Sequence, residues 1–163
     1  MTVNLYKHSY MDIFSHKCHY RGAAKAFYDE PYQLSYMPPR EVILDTNFLL
    51  VPFQFKINII KELDFLIDVS HKYVISSRTI DELKKVGKSK GKNGVAARLA
   101  LEIIEHNPIE IIKNNMNVDD WIVEYAQEKN AIVCTNDAPL RRRLRPLGIK
   151  VATMKSRSKL GFV

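Results

Sequence analysis

Four carboxylates, each in a different local pattern, are the residues of this chain best placed to do chemistry. Asp45 ends the apolar run Glu-Val-Ile-Leu-Asp-Thr-Asn at 41–47, and Glu82 lies in Thr-Ile-Asp-Glu-Leu-Lys-Lys at 79–85. Asp119 opens Asp-Asp-Trp-Ile-Val-Glu-Tyr-Ala, and Asp137 closes Ile-Val-Cys-Thr-Asn-Asp. Converging carboxylates repel one another unless a cation neutralises them. Hard oxygen ligands, with few His or Cys at hand, select Mg²⁺ or Mn²⁺ over zinc. Such ions clamp a phosphodiester, activate water and stabilise the leaving oxygen of an in-line displacement. Thr46, Asn47, Ser76, Thr135 and Asn136 flank the acids and are placed to orient carboxylates or bind water. The plainer reading of each acid alone is a helix N-cap or a surface charge. Four acids in these contexts outweigh that reading.

The elements that must position them alternate between strand and helix patterns from residue 41 onward. Val42-Ile43-Leu44 is a short apolar run, and Ile57, Ile60, Leu63, Leu66 and Ile67 recur at helical spacing. Tyr73-Val74-Ile75 reads as a second strand, and Thr79 with Glu82 matches a capping box opening the next helix. Val86–Gly94 reads as a Gly/Lys/Ser loop, 95–106 as helix and 109–112 as a third strand. Asn117 caps a helix running to about Lys129, and Ala131–Cys134 is a fourth strand. A last helix begins at Asn136 or Asp137 and is closed by Pro146 and Gly148, before a final strand over 149–152. This rhythm implies a parallel sheet of about five strands, covered on both faces.

In such a sheet ligands sit outside the carboxyl ends of the strands. Asp45, Asp137 and Glu82 are expected there. The Asp119 helix runs antiparallel to the strand it feeds, so its N-terminus is expected at the opposite end unless the chain crosses back.

Residues 1–39 break the rhythm. They form an irregular extension rich in Tyr and His, with a short helix expected near Ala23–Phe27, and Met37 is a candidate true start. The α/β core is expected over 40–154, with a basic tail at 155–163.

At 163 residues, with 46% hydrophobic and 26% charged content, the chain is expected to fold as one α/β domain. It has no continuous apolar run of membrane-spanning length and no apolar secretory core at its N-terminus. The two cysteines, Cys18 and Cys134, are too few for a disulfide framework, and Cys134 reads as a buried, reduced thiol of a cytoplasmic protein.

The net charge of +7 is unevenly spread. Residues 83–101 hold Lys84, Lys85, Lys88, Lys90, Lys92 and Arg98 without an acid. Residues 138–163 hold Arg141, Arg142, Arg143, Arg145, Lys150, Lys155, Arg157 and Lys159, again without one. These two stretches carry 14 of the 25 basic residues, leaving 11 against 18 acids elsewhere. Segregation of this kind suits a polyanion partner. Lys84, Lys85, Lys88, Lys90, Lys92, Arg141, Arg142, Arg143 and Arg145 are the candidate RNA-contacting residues.

Asp45-Thr46-Asn47, the Glu82 helix, Asp119 three residues before Ile122 and seven before Ala126, and Thr135-Asn136-Asp137 together resemble the PIN domain. The resemblance spans about residues 40–154. It implies a three-layer α/β/α sandwich with a central parallel sheet, in which the Asp119 helix does bring its N-terminus to the acids. It also implies metal-dependent cleavage of RNA, with Asp45, Glu82, Asp119 and Asp137 as catalytic metal ligands. Asp120 has no assigned role, and Asp81 reads as a helix N-terminal charge. Residues 135–145 and the basic end look more like the branch that processes ribosomal RNA than like VapC-type toxins. The first branch implies pre-rRNA as substrate, and the second an antitoxin partner. A homodimer is a further expectation from the resemblance. The rival from another class is a non-catalytic RNA-binding or ribosome-assembly protein on the same fold.

Other motifs carry less. Gly87–Gly94 departs from phosphate-loop spacing, has Asn93 where Ser or Thr should stand, and suits a basic RNA-contacting loop better. His16, Cys18 and His19 lack a fourth zinc ligand at suitable spacing. Asp45-Thr46-Asn47 lacks the second Asp of a haloacid-dehalogenase-type phosphatase. Trp121 and Tyr125, one turn apart, read as core or interface.

Overall fold

The computed structural model describes residues 38–163. The expected helix near Ala23–Phe27, the His16/Cys18/His19 group and Met37 lie outside the described residues. Six strands form one sheet in the order β3-β2-β1-β4-β5-β6. They are β1 (Arg40–Leu44), β2 (His71–Ser76), β3 (Ile109–Ile112), β4 (Ile132–Cys134), β5 (Val151–Ser156) and β6 (Lys159–Phe162). The first five are mutually parallel, and β6 is antiparallel to β5.

Alternation along each strand divides the core between two faces. Val42, Leu44, Tyr73, Ile75, Ile132 and Cys134 pack on one side, while Ile43, Val74 and Val133 pack on the other. The first face is covered by α1 (Thr46–Leu49), α2 (Val51–Phe55), α3 (Ile59–Leu66), α4 (Ser77–Gly87) and α5 (Lys92–His106). The second is covered by α6 (Val118–Lys129) and α7 (Ala138–Leu144), with a 3₁₀ turn at Arg145–Leu147. The result is the expected α/β/α sandwich. The chain winds from β1 to β3 in one direction, then returns across β1 to β4 and changes face. That places a topological switch point between β1 and β4.

Several boundaries follow from capping chemistry. Asn117 Oδ1 accepts the Asp119 amide at 3.0 Å to open α6, and Asn130 ends it at a φ of 49°. Gly148, at a φ of 68°, ends the 3₁₀ turn and lets the chain re-enter the sheet.

The α4 boundary differs from the sequence expectation. Ser76 Oγ accepts the Arg78 amide at 3.1 Å, so the helix starts three residues before the Thr79–Glu82 pattern. Thr79 is buried instead, and Glu82 serves no cap. The Gly/Lys loop is also shorter than expected, since α4 runs to Gly87 and α5 begins at Lys92.

Residues 155–163, expected as a basic tail, hold the end of β5 and all of β6. Buried Leu160 and half-buried Phe162 alternate within that stretch, a period-2 signal masked by Lys155, Arg157 and Lys159. Among the described residues, no helix is long and apolar enough to cross a membrane.

Candidate active site

The switch point is built by residues one step past the central strands. Leu44 of β1 pairs with Cys134 of β4, so Asp45 and Thr135 emerge side by side. The Asp45 amide donates to the Cys134 carbonyl at 3.1 Å, and Thr135 Oγ1 donates to Asp45 Oδ2 at 2.7 Å. Asp45 is only 2% exposed. Burial, first, pushes its carboxyl up to about 6. The negative charges of Asp119 and Asp137 push it the same way, while the bonds from Thr135 and the Thr46 amide oppose the shift.

Asp137 stands two residues beyond Asp45's neighbour. Its Oδ1 accepts the Leu140 amide at 2.7 Å and caps α7, while its own amide donates to Thr135 Oγ1 at 3.0 Å. The plain cap reading of Asp137 is therefore correct for one of its oxygens, without removing the residue from the cluster. Asn136 faces the other way. Its Oδ1 accepts Thr153 Oγ1 at 2.8 Å and the Met154 amide at 2.9 Å, which ties the β4–α7 turn to β5.

Glu82 reaches the same end of the sheet from α4, where its Oε2 accepts Thr46 Oγ1 at 2.8 Å. Thr46 directly follows Asp45, so this bond connects Glu82 to the segment that carries Asp45. Asn47 is exposed beside them.

The expectation that the Asp119 helix starts at the wrong end is overturned. A helix antiparallel to the strands begins at their carboxyl end, because β3 finishes there and α6 runs back down to β4. The loop between them is secured by Asn114, which is buried. Asn114 Nδ2 donates to Ser76 Oγ at 3.1 Å and to the Met116 carbonyl at 3.2 Å, and its Oδ1 accepts the Met116 amide at 2.8 Å. Asp119 then stands in the first turn of α6, half-buried. Its carboxyl is raised by burial and by Asp137, while Arg143 pulls it down. Sequence reading gave Ser76 a site-flanking part but missed Asn114. An Asn in a short strand-to-helix connection, three residues ahead of the Asn117 cap, is the signal that was there.

Asp120 pairs with Arg143 at 2.6 Å, joining α6 to α7 beside the acids. Arg141 is committed inward, its Nη1 donating to the Asn136 carbonyl at 2.9 Å and to Thr153 Oγ1 at 3.2 Å. Two of the arginines expected on RNA thus have structural partners, while Arg142 and Arg145 are exposed. Lys84, Lys85, Lys88, Lys90 and Lys92 are exposed along the end of α4, the turn and the start of α5. Asp81 sits on the outside of α4, 4.0 Å from Arg78. Trp121 and Tyr125 stack at 4.8 Å, with Trp121 in the core.

A buried carboxylate destabilised by two neighbouring acids is a donor set that fits a hard divalent cation. Among the described residues, no three His, Cys, Asp or Glu side chains already stand close enough to share one ion. Asp119 and Asp137 stand near enough to Asp45 for their charges to raise its carboxyl, and Glu82 is linked to Asp45 through Thr46.

The family described as PIN like domain matches residues 42–157. This chain belongs to it. The PIN-like domain here is 34% identical over 121 residues to ribonuclease VapC4 of Methanocaldococcus jannaschii, covering 72% of this chain and 92% of that protein. It is 28% identical over 120 residues to the rRNA-processing protein FCF1 of Saccharomyces cerevisiae, covering 71% of this chain and 60% of that one. The solved structure of the PIN domain endonuclease Utp24 matches with a TM-score of 0.65 at 28% identity, covering 77% of this chain and 92% of that chain.

Proposed function

We propose that this PIN-like chain is a divalent-metal-dependent endoribonuclease that cleaves RNA phosphodiester bonds in ribosomal RNA processing. The observation that carries the reading is Asp45, buried at the strand switch point and held above the ordinary carboxylate range, with Asp119 and Asp137 adding to the shift. In this reading Asp45, Glu82, Asp119 and Asp137 hold Mg²⁺ or Mn²⁺. A bound ion of this kind supplies Lewis acidity to the phosphoryl oxygen and an activated water. The chain's own part is positional. Thr135 fixes which oxygen of Asp45 faces outward, Thr46 holds Glu82 towards the strand ends, and the Asp137 cap fixes that carboxylate on α7.

Cleavage of a labelled oligoribonucleotide in Mn²⁺ tests this reading. Asp45→Asn and Asp137→Asn are each expected to lower the rate by about 10²-fold or more, as loss of preorganised electrostatic groups does elsewhere. Equal cleavage by wild type and both variants would sink the assignment. RNA binding without cleavage by wild type would favour a non-catalytic assembly role.

A second reading, a VapC-type toxin ribonuclease, draws support from the 34% identity that spans 92% of VapC4. The two readings separate on partners in cells. Crosslinking to ribosomal precursor RNA supports the processing role, and co-purification of a small antitoxin encoded nearby supports the toxin role.

A further inference from the structure

A second feature lies beside the acids, on the far flank of α7. A cavity of about 660 Å³ is lined by Ala138, Arg141, Arg142 and Arg145 from α7 and the 3₁₀ turn, and by Lys150 and Val151 from the start of β5. The α7 residues fall at helical spacing, so one helix face forms the wall. The floor is aliphatic, from Ile149, Val151 and Val163, and the side chains of Arg141, Arg142 and Arg145 stand along its wall. The Lys150 ammonium is turned onto the Phe162 ring, 3.8 Å from its centroid, on the sheet face that packs against α1–α5, and so stands outside the arginine row. The cavity starts at Ala138, the residue after Asp137, and reaches Arg145. At 1.5 Å per residue that is a run of about 10 Å away from the acid cluster.

We infer that this groove holds a segment of single-stranded RNA flanking the bond to be cut, with phosphates on Arg142 and Arg145 and a ribose or base against the aliphatic floor. This rests on the ribonuclease reading and adds a direction to it: the strand leaves the acids along α7. The charge complementarity is with a polyanion, and the apolar floor with rims of cations is how sequence-tolerant single-strand sites are built. Arg141, bonded to Asn136 and Thr153, forms part of the wall and ties the groove to the turn that carries Asp137.

Binding of a fluorescent single-stranded oligoribonucleotide by the full chain, measured in EDTA over a range of salt, tests it apart from catalysis. Arg142→Ala with Arg145→Ala is expected to weaken binding by about tenfold and to flatten the salt slope by about 1.4, the loss of two phosphate contacts. Lys56→Ala with Lys61→Ala removes the same charge from exposed positions at α2 and α3, and is expected to change affinity less than about twofold. All four residues are exposed, so neither pair disturbs the core. Wild-type affinity and slope in the Arg142/Arg145 variant would overturn the proposal. An equal loss in the Lys56/Lys61 variant would overturn it too, by showing that only net charge matters. Because no metal is present, a chain that never cleaves RNA can still pass this test, and an active nuclease can fail it.

Discussion

Thr135 and Asp45 share a 2.7 Å hydrogen bond across the junction of β1 and β4, and that bond opposes the burial that raises the Asp45 carboxyl to about 6. In the unfolded chain this group titrates near 3.8. The folded state therefore binds the proton more tightly. The stability this contributes is complete below about pH 4 and is lost as pH rises through about 6. A carboxyl raised from 3.8 to about 6 corresponds to about 3 kcal/mol at most.

Asp45→Asn removes the charge while keeping an acceptor for Thr135. Metal-free Asp45→Asn protein is expected to be more stable than wild type at pH 7.5 by about 1–3 kcal/mol, with the gap closing at pH 4. Urea denaturation at both pH values checks this. A variant less stable than wild type at pH 7.5 would show that Asp45 is not strained.

Asn114 makes three side-chain hydrogen bonds that hold the β3–α6 connection against Ser76. Asn114→Ala is expected to cost about 2–3 kcal/mol, since the Met116 amide and carbonyl both lose their partner. Hydrogen exchange should quicken at 114–119 more than in β1 or β4. Uniform acceleration across the sheet would contradict a local tie.

Arg143 is exposed and paired with Asp120, so Arg143→Ala should change stability by less than about 1 kcal/mol. Its charge nevertheless holds the Asp119 carboxyl down against burial and Asp137. A carbon NMR titration of metal-free protein should find that the Asp119 carboxyl moves up in the variant. No movement would separate Arg143 from the acid cluster.

Gly94 lies in the first turn of α5, where a Cβ would collide with the Ser89 carbonyl oxygen. Gly94→Ala is expected to destabilise the fold by about 2 kcal/mol or more, because the neighbour is backbone and cannot swing aside. Thermal unfolding measures it. Gly91→Ala is strained for a different reason, its φ of 99°.

Much of the fold was legible because both periodicities were strong. The strand Tyr73-Val74-Ile75 sits between helices capped by Asn58 and Ser76, and Asn117 and Asp137 cap where the residue types predict. The charge-dense segments hid the rest. The Leu160/Phe162 alternation was diluted by cations, and the Thr79–Glu82 pattern imitated a cap that Ser76 supplies. Of the candidate site, the acids could be named from their settings. Thr46 and Thr135 could be named beside them, but not which acid each one bonds, because Thr135–Asp45 and Thr46–Glu82 join residues 90 and 36 positions apart. Asp119 shows a different failure: the helix direction needed to place it was available, and the inference drawn from it was inverted.

The Asn114 tie has a consequence for how such a site changes over time. Asp45 and Thr135 are welded to central strands, so their spacing is inherited with the sheet. Asp119 and Glu82 ride on helices packed on the two sheet faces, and a few side-chain bonds near the strand ends anchor where those two carboxylates stand. Substrate preference can therefore drift by retuning those few anchors while the buried pair stays fixed. The chain resembles a vice with one jaw cast into the bench and the other bolted on.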